Sequence, residues 1–75
     1  MNESDIKSVL VKVSGNEEMS SVSPDDDLFE CGLDSLDLMD VIFELDELFG
    51  FSVSEEDFAR CKTISGILQV NAKDK

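Results

Sequence analysis

Seventy-five residues with 41% hydrophobic side chains are enough for one small core, so a single domain is expected over residues 1–75. Eighteen acids against six bases give a formal net charge of −12, a surface that repels nucleic acid and anionic lipid and steers toward basic patches on other proteins. No histidine occurs, and the two cysteines, Cys31 and Cys61, lack ligand-type spacing. Neither a metal site nor the nucleophile–base pair of a hydrolase is therefore expected, and both cysteines read as free, partly buried thiols of a reducing compartment.

The polar start Asn2-Glu3-Ser4-Asp5 has neither the basic end nor the apolar run of a signal peptide, and no segment approaches membrane-spanning length. The expectation is a monomeric, cytoplasmic protein. Asn2 is placed to cap a first helix from Glu3 to about Val13, with Glu3 and Asp5 near its positive end and Lys12 near its negative end. Ile6, Val9, Leu10 and Val13 recur on one face, and Gly15 suits a left-handed stop. A long connection without periodicity follows, which we expect to be ordered because Met19, Val22, Leu28 and Phe29 can pin it. Ser23-Pro24-Asp25-Asp26 has turn chemistry. Asp25-Asp26-Asp27 lacks the glycine a calcium loop needs at its sixth position and reads as a solvated acidic turn.

Gly32 offers a bend into the helix that Gly32-Leu33-Asp34-Ser35-Leu36 opens, running from Asp34 to about Phe49. Asp34 is expected to accept from the Asp37 N–H as N-cap, leaving the Ser35 hydroxyl exposed beside unpaired N–H groups that favour an anion. Leu38, Val41, Ile42, Leu45, Leu48 and Phe49 form a broad apolar arc, the core face. Leu36, Met39 and Phe43 form a second, narrower stripe, which is either a docking strip or a seam against the long loop. Asp37, Asp40, Glu44 and Glu47 border it, as docking acids or simply as a solvated helix face. Gly50 ends the helix, and Phe51 and Val53 are expected to point inward. Ser54-Glu55-Glu56-Asp57 reads as a capping box for a short helix holding Phe58, Ala59 and Arg60. Thr63 is placed to cap a last helix in which Ile64, Ile67, Leu68 and Ala72 share a side. Gly66 should weaken that helix by about 1 kcal/mol, and Asn71 to Lys75 should fray. No strand signal is sustained. The expected fold is an all-α small four-helix bundle, three main helices and one short one, with a long ordered loop between the first two.

Asp25-Asp26-Asp27-Leu28-Phe29-Glu30, leading into Gly32-Leu33-Asp34-Ser35-Leu36-Asp37-Leu38 and an acidic amphipathic helix, resembles the acyl carrier protein family over essentially the whole chain. The resemblance implies that Ser35 is the attachment site of 4′-phosphopantetheine, added from coenzyme A by a separate phosphopantetheinyl transferase. Asp34 resembles the family aspartate that helps to place the transferase's metal. It also implies that the chain is not an enzyme but a carrier of acyl thioesters in fatty acid or related lipid or polyketide biosynthesis. Partner enzymes, acyl-transferring or condensing, would dock basic patches on Leu36, Asp37, Met39, Asp40, Phe43, Glu44 and Glu47, and in related carriers the helical interior opens to shelter an acyl chain. Phe43, Glu44, Cys31 and the pair Gln69-Val70 depart from the family pattern, and these departures bear on cargo and partners. The competing reading is an acidic helical adaptor that binds a basic protein without a prosthetic group.

Overall fold

In a computed structural model, which describes the backbone of residues 1–73 and the side chains of residues 1–72, the ends of the helices are set by short polar residues and glycines. Helix α1, Glu3–Ser14, begins at a reciprocal box: the Asp5 N–H donates to Asn2 Oδ1 (2.9 Å) and the Asn2 N–H to Asp5 Oδ2 (3.0 Å). It stops at Gly15, whose φ of 69° is open to glycine and whose N–H reaches the Val11 carbonyl. Helix α2, Ser35–Phe49, has the same construction between Asp34 and Gly50. Helix α3, Glu55–Phe58, is a single turn capped by Ser54 and continued as a 3₁₀ turn over Ala59–Lys62, which takes in two of the residues expected to be α-helical. Helix α4, Ile64–Lys73, starts beneath the Thr63 hydroxyl, which accepts from the Gly66 N–H at 2.9 Å. Among the described residues every regular element is helical, which is the expected all-α bundle.

The core lies where α1 meets α2 and α4. Ile6 and Leu10 of α1, Leu38, Val41 and Leu45 of α2, and Ile64, Ile67 and Val70 of α4 are all buried. The long connection is ordered and contains a 3₁₀ turn, Glu17–Ser21, that drives Met19 into the core and packs on α1. Five residues with one apolar anchor carry no period, which is why the sequence shows a loop there. The connection is also strapped to the far end of the chain. The Leu28 N–H donates to the Lys62 carbonyl (2.7 Å) and the Ser65 N–H to the Pro24 carbonyl (3.0 Å). The acidic turn is organised by its own carboxylates: Asp26 accepts from the Ser23 N–H, Asp27 from the Phe29 N–H, and Asp25 from the Ser65 hydroxyl.

Several side chains sit elsewhere than expected. Phe29 is 41% exposed, because adjacent Leu28 takes the core position in that turn. Leu48 and Phe49 are 60% and 44% exposed; the last turn of α2 continues the apolar arc beyond Leu45, where the described residues cover it only in part. On α4, Ala72 is exposed while Val70 is buried, and the helix runs on through Lys73 where fraying was expected; the remainder of that expectation, Asp74 and Lys75, lies outside the described residues. The rotation of α4 has a cause. Gly66 is buried against the carbonyl of Arg60, so closely that a Cβ there would overlap it. That approach turns the buried face toward Gly66 and Val70 and away from Ala72.

Candidate functional site

The start of α2 is built from both sides of Asp34. Asp34 Oδ1 accepts from the Asp37 N–H at 2.8 Å, and Asp37 Oδ2 accepts from the Asp34 N–H at 3.4 Å. Just before the cap, Leu33 is buried, as is Leu38 four helical positions in. These are the two positions of a hydrophobic staple, and they fix the angle at which the chain enters the helix. Leu33 was missed in the sequence as a core residue, although its spacing to Leu38 across an N-cap was the available signal. Ser35 is the first residue of α2 and is exposed. Of the first-turn N–H groups, the box occupies those of Asp34 and Asp37, leaving those of Ser35 and Leu36 for solvent or an anion.

Leu36, Met39 and Phe43 are 70%, 57% and 64% exposed. They pack into no core seam, and the stripe stands in solvent along α2. Beside it, two adjoining open grooves share Met39, Val53 and Phe58, one reaching Ser54 and Glu55 and the other Ile42, Phe43 and Asp46. Phe51 is buried and Val53 half-buried along this edge, as expected. The acids bordering the stripe are not equivalent. Asp40 and Glu47 are exposed, Asp37 is half-buried and committed to the cap, and Glu44 is held by Lys12 Nζ at 2.8 Å.

The thiols of the chain are poor nucleophiles. Burial, reinforced by Asp57, pushes Cys61 up to about 11. Partial burial and then the charges of Asp26, Asp27 and Glu30 raise Cys31 above its ordinary value. Neither thiol is activated toward the thiolate, and Cys61 is also buried. An exposed serine hydroxyl beside free helix N–H groups fits a phosphate-linked arm bearing a thiol. Among the described residues no group of three or more metal-binding side chains converges, and no helix is long and apolar enough to cross a membrane.

Residues 4–70 match the family model described as a phosphopantetheine attachment site. The chain belongs to the acyl carrier protein family. It is 34% identical over 67 residues to the acyl carrier protein of Chlamydia caviae, covering 88% of this chain and 86% of that protein. To that of Chlamydia muridarum it is 34% identical over 73 residues, covering 89% and 87%. To that of Coprothermobacter proteolyticus it is 29% identical over 66 residues, covering 88% and 80%. No solved structure matches the chain. Acyl carrier proteins are carriers and not catalysts. The prosthetic group of the family is 4′-phosphopantetheine.

Proposed function

We propose that Ser35 carries the 4′-phosphopantetheine arm and that the chain shuttles acyl groups between cytoplasmic enzymes of fatty acid, related lipid or polyketide biosynthesis, as a monomer. The observation that carries this reading is the exposed hydroxyl of Ser35 at the first position of α2, inside Gly32-Leu33-Asp34-Ser35-Leu36. A transferase can reach it without unfolding anything. The N–H groups of Ser35 and Leu36 lie next to the site of the phosphodiester, where the helix terminus favours negative charge. When bound, the arm supplies the mobile thiol that the chain's own cysteines do not provide. Asp34 holds the turn that presents the hydroxyl, and its carboxylate stands next to it in sequence for the transferase's metal.

Leu36, Met39 and Phe43 form the apolar centre of the docking strip, with Asp37, Asp40, Glu44 and Glu47 as its acidic border. A stripe of this kind, apolar and flanked by a mainly acidic border, suits a partner with an apolar spot beside lysines and arginines. Such partners include the transferase and the acyl-transferring or condensing enzymes that follow it.

Intact mass decides the central point. Co-expression with a phosphopantetheinyl transferase should add the mass of one phosphopantetheine to the whole population, and Ser35→Ala should abolish the addition while keeping the helical circular dichroism spectrum. A wild-type chain that never gains the group would leave the acidic adaptor as the better reading.

A further inference from the structure

The geometry points to Lys12 as a partner-specificity residue: held over α2 by Glu44, it cancels one charge in the middle of the acidic border and so selects among basic-faced enzymes that dock there. This deepens the carrier reading and rests on it. Lys12 Nζ lies 2.8 Å from Glu44 Oε2, with the lysine side chain 66% exposed and the glutamate 26%. The lysine side chain is therefore mostly in solvent, and the glutamate it pairs with is half-buried. The depression they line also includes Val13, Asp40 and Phe43, which joins it directly to the apolar strip. The pairs Lys7–Glu3 and Arg60–Asp57 join residues four and three apart along the chain. Lys12–Glu44 joins α1 to α2 across 32 residues of chain.

A lysine or arginine of a partner brought toward Glu44 meets an ammonium already in place. It must displace Lys12 or accept like-charge contact, whereas Asp40 and Glu47 on the same helix take part in none of these pairs. A well-matched partner places its bases opposite Asp40 and Glu47 and a neutral or acidic group opposite Lys12. An enzyme presenting an unbroken row of bases along α2 is disfavoured.

The test uses the unmodified chain, a phosphopantetheinyl transferase with a basic carrier-binding face, coenzyme A and Mg²⁺, and reads KM and kcat for modification, Kd for the unmodified chain, and melting temperature. Lys12→Ala should lower KM and Kd about two- to fivefold at low salt with kcat unchanged, the size expected of an exposed charge pair. The gain should fade as salt screens the surface. Glu44→Gln, which leaves the ammonium uncompensated, should raise both constants; the double variant should fall between the singles, and Lys12→Arg should behave as wild type. Lys7→Ala makes the same change in net charge at a lysine paired with Glu3 of its own helix and should have less effect. The inference is overturned if Lys12→Ala shifts melting without shifting KM or Kd, or if Lys7→Ala reproduces its effect. A wild-type chain that is never modified removes the carrier reading and this inference with it; a wild type that is modified normally while Lys12→Ala changes nothing removes this inference alone.

Discussion

Asp34 caps α2 through its carboxylate, and the proposed part of that carboxylate in placing the transferase's metal can be tested separately from capping. As N-cap it satisfies the Asp37 N–H, so Asp34→Ala should cost about 1 kcal/mol and lower the melting midpoint by about 4–8 °C for a domain of this size. Asparagine caps as well as aspartate, so Asp34→Asn should melt close to wild type by circular dichroism. If the carboxylate also helps the transferase's metal, Asp34→Asn should slow Ser35 modification without a thermal penalty; equal rates would limit Asp34 to capping. The sequence shows the cap because Asp34 and Asp37 stand at the right spacing before an apolar arc. It does not show that Asp37 returns the hydrogen bond, or that Glu44 is occupied by Lys12 from another helix, 32 residues away along the chain. Such a pairing depends on how α1 lies on α2, which no local pattern states.

At the scale of the element, α2 divides its apolar residues between two environments. Met39→Glu and Phe43→Glu change side chains that are mostly in solvent, so both variants should keep the wild-type spectrum and melt while weakening binding to a basic-faced partner. Leu45→Ala, at a fully buried position, should cost about 2–5 kcal/mol and threaten the fold. Loss of the fold in either glutamate variant would return that residue to the core. Helix α4 reverses a propensity argument. In a free helix Gly66→Ala is stabilising by about 1 kcal/mol, but here the added Cβ would overlap the backbone carbonyl of Arg60. The variant should therefore lower the denaturation midpoint, with α4 pushed off the 3₁₀ turn Ala59–Lys62. A midpoint that rises would mean the turn yields at little cost.

For the whole molecule, charge and size together set the response to salt. A net charge of −12 belongs to a molecule with extents of 30 × 21 × 20 Å, spans that a Debye length of about 10 Å at 0.1 M salt screens and one of about 30 Å at 0.01 M does not. At low ionic strength most of the carboxylates therefore repel one another across the whole molecule, and added salt or Mg²⁺ should raise the melting temperature by several degrees. A melt indifferent to both would show that local hydrogen bonds and ion pairs already offset the repulsion. From the sequence alone come the all-α class, the boundaries of α1 and α2, the glycine stops at Gly15 and Gly50, and the family to which Ser35 and its neighbours point. All of these rest on period, capping and spacing, which are local. Tertiary structure alone decided where the apolar arcs are covered: Val70 inside, Phe29, Leu48 and Phe49 outside. It also decided that Gly66 is a contact, and that Lys12 reaches across to Glu44. Helical periodicity defines an apolar face, but burial requires a second element lying over it, and that is settled only when the helices pack.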